Sequence, residues 1–273
     1  INPSKNLIIT GGCGLNCIMN EVITKCGLYE NVWVNSVPHD AGTSMGAAFW
    51  VYNHILKNPR TFVFESALWG PEFSNNDIEL ELKRANLEYV KFGDEELIQE
   101  VCRLLREKNI IGWFQGRTEF GPRALGNRSI IADPTHLDMK NIINNKIKHR
   151  EPFRPFAPAI IEECVGDFFE EKRKLPFMTF ILKVKEDIAK KIPAVVHFDD
   201  TARVQTVSEG VNPRFHKLIK KFGEMSKIPI LLNTSFNDNG EPIVNSPVDA
   251  ISSFKRTNLD YMAIGNYLVK KEN

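Results

Sequence analysis

Cysteine is scarce in this chain, and none of it is paired by spacing. Five cysteines occur in 273 residues, an odd number, and no two stand as CxxC. This excludes a disulfide framework and a structural zinc site of ordinary spacing, and it fits a reducing, cytoplasmic setting. Long hydrophobic runs are missing too. The longest uncharged apolar-rich stretch, Ala41–Tyr52, is too short to span a bilayer and is broken by Gly, Ser and Thr. Net charge is almost absent: 35 Lys and Arg against 34 Asp and Glu leave +1, so no global field draws the chain to nucleic acid or a membrane. Neither HExxH nor HxxxH occurs, and the six histidines are scattered. No basic, apolar leader with a small-residue cleavage site opens the chain, and a start at Ile1 rather than Met reads as the downstream part of a longer protein.

What is present is an ordinary globular balance, 42% apolar and 25% charged, in a length that makes one large domain or two small ones. Charge is unevenly placed. From Glu65 to Val101 ten acidic residues face three basic ones, a balance of −7; from Arg117 to Arg154 eight basic residues face four acidic ones, a balance of +4. Anion chemistry is expected in the second segment.

Strand Lys5–Thr10, a glycine turn and a helical run Leu15–Cys26 closed by Gly27 open the chain. Asn31–Val34 reads as a strand and Thr43–Leu56 as a small, apolar helix. Residues 61–93 read as a connector holding one acidic helix near Asp77–Asn86. Asp94 is expected to cap helix Glu95–Lys108, whose Leu97, Ile98, Val101, Leu104 and Leu105 share a face. Strands are expected at Ile110–Phe114, Ser129–Ala132, Ala157–Ile161, Thr179–Val184, Ala202–Val207, Ile230–Leu232 and Tyr267–Lys270. Helices are expected near Leu137–Ile147, Arg214–Met225 and Pro247–Arg256, the last capped by Ser246. Strands and helices are mixed rather than strictly alternating, which favours an α/β fold of the α+β kind with a mixed sheet.

Five segments can carry chemistry. The first, Gly116–Ser129, joins three arginines to three glycines: glycine lets backbone amides approach an anion, and arginine offers a fork of donors matched to phosphate. Glu119 is expected to pair with Arg117 or Arg123. The second, Lys146–Pro158, sets four cations and His149 before a rigid Pro/Phe frame that includes Pro152 and Phe153. In the third, Asp199–Val207, strand alternation puts Arg203, Gln205 and Val207 on one face; Arg203 either pairs with Asp199 or Asp200 or points into a cleft. The fourth, Ile230–Asn237, is an apolar strand ending in hydroxyls and amides, a common ligand position, with an Asx or Ser/Thr turn as the plain alternative. The fifth combines Gly11–Asn16 with His39–Ala48. A strand–glycine–helix turn can cradle phosphate, and Asp40 can ligate a metal or cap the next helix.

Together GRTEFGPRALGNRSIIADP, KHREPFRPFAP, DDTARVQTV, LLNTSFN followed by GEPIV, and the upstream GGCGLN and HDAGTSMGAA resemble, in the same order, carbamoyltransferases of the NodU/CmcH type. The resemblance implies a YrdC-like twisted mixed sheet with flanking helices over residues 94–273, preceded, across the connector at 61–93, by the end of an actin-like (ASKHA) domain over residues 1–60. It implies that carbamoyl phosphate and ATP become carbamoyl adenylate and that a small hydroxylated acceptor then takes the carbamoyl group. By motif match Arg123, Lys148, Arg154 and Arg203 line the adenylate pocket. Asn233 and Ser235 bind nucleotide or carbamoyl groups, Arg150 is a further candidate, Gly11, Gly12 and Asn16 match a nucleotide-binding turn, and Asp40 matches the metal position. ATP, Mg2+ and, in the actin-like site, Fe2+ are the implied cofactors. The early actin-like strands and metal-binding histidines of the family are missing, so this stretch alone is expected to form the adenylate and not to complete transfer. The resemblance also points to a homo-oligomer, although periodicity shows no dimer seam. The competing readings are a threonylcarbamoyl-adenylate synthase, against which the two upstream motifs count, an RNA-binding module, against which the lack of a continuous basic stripe counts, and an inactive scaffold.

Overall fold

The computed structural model describes residues 4–151 and 154–272; the expected frame residues Pro152 and Phe153 lie outside the described residues. The strands are β1 (Asn6–Ile8), β2 (Asn31–Trp33), β3 (Val90–Lys91), β4 (Ile111–Phe114), β5 (Arg128–Ala132), β6 (Ala157–Ile161), β7 (Leu182–Lys183), β8 (Thr201–Ala202), β9 (Gln205–Val207), β10 (Ile230–Ser235), β11 (Tyr261–Ile264) and β12 (Tyr267–Lys270). The helices are α1 (Cys17–Lys25), α2 (Thr43–Phe49), α3 (Asn75–Arg84), α4 (Asp94–Arg106), α5 (Met139–Ile143), α6 (Val165–Phe168), α7 (Glu186–Ala189), α8 (Pro213–Ser226) and α9 (Pro247–Arg256).

Eight strands form one mixed sheet in the order β3-β12-β11-β4-β5-β10-β6-β9. The pairs β11–β4 and β6–β9 are parallel and the other neighbours antiparallel. The mixed sheet with flanking helices expected from the sequence is therefore the architecture found. One face is covered by α4 and α8, which bury Leu97, Val101, Leu105, Phe215, Ile219 and Phe222 against Trp113, Ile131 and Leu231. The other buries Ile130, Ile160, Leu232, Phe254 and Met262 in a larger core. Both faces being apolar, the central strands read as continuous hydrophobic runs.

Local chemistry explains most boundaries. Ser246 accepts from Asp249 N, the Asp249 carboxylate accepts from Ser246 N, and Pro247 opens α9. Helix α4 starts one residue earlier than expected. Gly93 is its cap, because Glu96 accepts from Gly93 N, while Asp94 is drawn to Asn266 and Arg214. Two expected α-helices instead run on as π-turns, Trp50–Ile55 after α2 and Asn144–Lys148 after α5. The expected strand Thr179–Val184 shrinks to β7. The expected strand Ala202–Val207 splits: β8 pairs with β7 in a small separate sheet, β9 pairs with β6 in the large one, and the chain changes sheets at Arg203 and Val204. Alternation therefore cannot run through Arg203. The acidic helix of the 61–93 stretch is α3, and β3 joins the edge of the large sheet.

Upstream, β1 and β2 form a separate two-stranded parallel sheet. This segment is tied to the downstream chain by Asn20 Nδ2, which donates to Thr179 O at 2.8 Å, by an ion pair between Arg173 and Glu21, and by Ser36 Oγ, which donates to Phe120 O at 2.7 Å. Among the described residues no helix is long and apolar enough to cross a membrane.

Candidate anion site at the end of strand β10

The Gly/Arg loop between β4 and β5 is built around Glu119. Its carboxylate is buried and does not pair with Arg117 or Arg123 as expected. Oε1 accepts from Leu125 N at 2.8 Å, Asn127 N at 2.8 Å and Arg128 N at 3.1 Å. One carboxylate thus closes the loop by replacing missing ladder partners. Gly126, at φ +103°, lies where a Cβ would sit 2.2 Å from Phe215, so only glycine fits there. Arg128, counted above with the anion-binding arginines, is a strut. Wholly buried, it donates to Gln115 O at 2.6 Å, Asn127 O at 3.0 Å and Gly116 O at 3.1 Å, and its guanidinium stacks 3.6 Å from the Phe114 ring. Arg117 is exposed, reaching Trp69 O at 3.3 Å.

Arg123 is different. It is half-buried and, like Arg154 and Arg203, makes no side-chain hydrogen bond or ion pair among the described residues. Arg203 is expected either to pair with Asp199 or Asp200 or to enter a cleft. It does not pair: Asp199 accepts from Thr201, Asp200 faces Lys183, and Arg203 Nε is buried without a partner. Burial first, then the charge of Arg123, and further Arg150 and Arg154, hold the Arg203 guanidinium below its usual range. Arg123 is lowered likewise by burial. An arginine does not give up its proton near neutrality; the depression means that the positive charge is unhappy where it stands and gains from an anion. Arg203 therefore lies within electrostatic reach of Arg123, Arg150 and Arg154. Cys17, the first residue of α1, lies within electrostatic reach of both Arg123 and Arg203.

Strand β10 supplies the polar floor. It continues through Asn233, Thr234 and Ser235 rather than turning, so Asn233 and Ser235 share a face. Lys148 is buried above Ser235, with Nζ donating to Ser235 O at 2.7 Å, Asn237 Oδ1 at 2.7 Å and Asn237 O at 2.9 Å. Burial, reinforced by Arg150 and opposed by Asp238, pushes the ammonium down to about 7. Arg150 itself is lowered to about 10 by burial and Arg154; it donates to Asn144 Oδ1 at 2.8 Å and stacks 4.6 Å from the Phe156 ring. Asn233 Nδ2 donates to Gln205 Oε1 at 2.7 Å and to Ala124 O at 3.3 Å, and Gln205 Nε2 donates to Leu125 O at 2.7 Å. These bonds fix the backbone just after Arg123. Arg154 is exposed and joins the site by charge alone.

The upstream candidates play quieter roles. Asn16 Oδ1 accepts from Met19 N at 3.0 Å and caps α1. Gly11, at φ +84°, donates N–H to Pro38 O at 2.6 Å, and both Gly11 and Gly12 are exposed. Asp40 is exposed and uses its carbonyl, not its carboxylate, to bond Thr43 Oγ1 at 2.7 Å. Among the described residues no group of three His, Cys, Asp or Glu can hold a metal ion, so Asp40 stands without companion ligands. Gly42–Gly46 has the spacing of a nucleophile elbow, but Ser44 sits in the first turn of α2 with Oγ bonded to Ala41 O at 3.0 Å, and no base activates it among the described residues. Sequence reasoning missed Gln205, Asn237 and Glu119 as site residues. All three lay inside the motifs, but only their distant partners reveal what they hold.

Comparison with known proteins gives the family. The model of the carbamoyltransferase C-terminus matches residues 102–271, and that of the carbamoyltransferase N-terminus matches residues 1–49. The nodulation protein NolO of Bradyrhizobium diazoefficiens is 41% identical over 97% of this chain and 49% of that protein. NolNO of Sinorhizobium fredii is 40% identical over 99% of this chain and 40% of that protein. The 3'-hydroxymethylcephem-O-carbamoyltransferase of Amycolatopsis lactamdurans is 33% identical over 95% and 48%. The chain thus spans 40–49% of the length of these relatives. HypF in its phosphate- and nucleotide-bound form superposes at a TM-score of 0.42 with 22% identity, over 62% of this chain and 21% of that one, a likeness too slight to define the fold. On the family models and these relatives, the chain belongs to the carbamoyltransferases of the NodU/CmcH type.

Proposed function

We propose that this chain carries the carbamoyl-activating site of an ATP-dependent O-carbamoyltransferase, a YrdC-like unit at 94–273 preceded by the end of an actin-like unit at 1–60. Carbamoyl phosphate is hydrolysed to carbamate and phosphate. A carbamate oxygen attacks the α-phosphorus of ATP, the bond to the bridging oxygen breaks, and carbamoyl adenylate and pyrophosphate form. A hydroxyl of a small acceptor then attacks the carbamoyl carbon, AMP leaves, and the hydroxyl proton is released. Arg123, Arg154, Arg203 and Lys148 neutralise and orient the phosphates, while Asn233 and Ser235 hold the carbamoyl end.

The observation that supports this reading is the set of guanidinium groups, Arg123 and Arg203 above all, left without partners among the described residues, with Arg150 in reach of both Arg203 and the buried Lys148. Ordinary folding pairs such charges or leaves them in water. Held together, they stabilise a bound polyanion and any charge that develops on it, with little reorganisation. Phosphoryl and nucleotidyl transfer require chiefly this positioning and neutralisation. No step is assigned to a metal at Asp40, because the surrounding described residues offer no ligand set.

Exchange of labelled pyrophosphate into ATP tests the reading on the full chain. Exchange is expected only when carbamoyl phosphate is present. It should fall at least ~30-fold in Arg123→Ala, since a lost buried Arg–phosphate contact costs about 2–5 kcal/mol. Exchange that ignores carbamoyl phosphate, or that survives loss of Arg123, sinks it.

A further inference from the structure

Two backbone carbonyls dictate which way two buried side-chain amides face. Leu125 O and Ala124 O can only accept. Leu125 O is 2.7 Å from Gln205 Nε2, so that atom is the NH2 end of Gln205, and its Oε1 is left to accept. The atom of Asn233 facing Gln205 Oε1 at 2.7 Å and Ala124 O at 3.3 Å must then be its NH2 group. The other end of Asn233, Oδ1, is buried, in a residue only 1% exposed, and has no partner among the described residues. A lone buried carbonyl oxygen is costly, by about 1–3 kcal/mol, unless something donates to it. It belongs to a residue that lies on the same face of β10 as Ser235, which Lys148 reaches, and whose amide end touches the loop that carries Arg123.

We propose that Gln205 is a positioning residue that locks Asn233 with Oδ1 as an unfilled acceptor, and that this acceptor selects the carbamoyl NH2 group over isosteres that carry no donor there. The proposal rests on the reading above and adds the atom that distinguishes the carbamoyl donor from other acyl phosphates. Carbamoyl phosphate and carbamate present an N–H at the position where acetyl phosphate and acetate present a methyl group. The methyl compound would leave Asn233 Oδ1 dry and unpaired. Sites built to hydrogen-bond a substrate N–H or O–H reject analogues lacking it far more strongly than apolar pockets reject an extra methyl. Gln205 is required because an Asn233 amide free to rotate would present its own NH2 group and lose the preference.

The test uses the full chain and two readouts. In direct binding by calorimetry, carbamoyl phosphate should bind wild type about 10–100-fold more tightly than acetyl phosphate. In Gln205→Leu, of similar volume but without polar ends, that ratio should drop close to one. In pyrophosphate exchange, KM for carbamoyl phosphate should rise in the variant while KM for ATP stays within about twofold. A merely structural role for Gln205 would weaken both donors equally and leave the ratio intact, which overturns the proposal. Equal binding of the two donors by wild type overturns it too, and needs no variant, so a Gln205→Leu chain that fails to fold does not shelter the idea. Preserved discrimination in binding with no pyrophosphate exchange would refute adenylate formation while leaving the role of Asn233 standing.

Discussion

Lys148 donates to Asn237 Oδ1 at 2.7 Å, while Ser235 Oγ donates to the same oxygen at 2.7 Å. A buried ammonium is thereby held by neutral oxygens alone. Asn237 is fixed in turn by donating Nδ2 to Glu241 O at 2.6 Å. Dipoles steady the ammonium but do not cancel its charge, which is why burial still lowers it to about 7.

The pH dependence follows from that relationship. An unfolded lysine titrates near ~10.4, so between about 7 and ~10.4 the unfolded chain binds more protons than the folded one. Stability should therefore rise with pH across this window, and Lys148→Met should flatten the rise, measured by urea unfolding at pH 7 and pH 9. Anion binding runs the opposite way, because only the ammonium attracts phosphate. Relative to Lys148→Met, wild-type affinity for carbamoyl phosphate should weaken as pH climbs above 7, with proton uptake on binding seen by calorimetry in buffers of different ionisation heat.

Arg203 should be dispensable for folding and indispensable for binding. Its charge repels Arg123 and has no partner among the described residues, so Arg203→Met should leave stability unchanged or raised by roughly 1 kcal/mol. Pyrophosphate exchange should fall at least tenfold. Arg203→Lys should recover little of it, because a point charge does not reproduce the planar fork. A large loss of stability in Arg203→Met would show that the guanidinium is structural.

Glu119 should behave in the reverse manner. Removing its carboxylate strands three buried amides, so Glu119→Ala should cost about 2–4 kcal/mol in urea unfolding. Glu119→Gln keeps one carbonyl acceptor and should cost clearly less. If both variants unfold alike, the loop is held by something other than that oxygen.

Inorganic phosphate should stabilise the folded chain, since it suits the unpaired guanidinium groups and has no such site in the unfolded chain. At a hundred times its dissociation constant the gain is about 2.7 kcal/mol. The rise in melting temperature should vanish in Arg123→Ala/Arg203→Ala. Equal ionic strength supplied as chloride should not reproduce it.

Particular residues show how far the sequence could be read. Strands β6 and β12 and helix α9 stand where apolar runs and the Ser246–Pro247–Asp249 cap put them, because ladders and caps are decided by near neighbours. Helix α4 shifted by one residue because two capping carboxylates competed, and Asp94 was taken by Arg214 and Asn266, more than 100 positions away. The expected strand through Arg203 failed for a similar reason: its two halves find partners in different sheets.

The sequence by itself determined that cations gather between Arg117 and Arg154, that β10 ends in amides and hydroxyls, and, through its motifs, which family the chain resembles. Tertiary structure alone decided which of those charges are spent. Arg128 and Arg123 are only five positions apart, yet the first donates its terminal nitrogens to carbonyls and the second has no side-chain partner among the described residues. Whether a charge is paired depends on what lies about 3 Å away through space, and that neighbour is set by the packing of distant segments rather than by position along the chain.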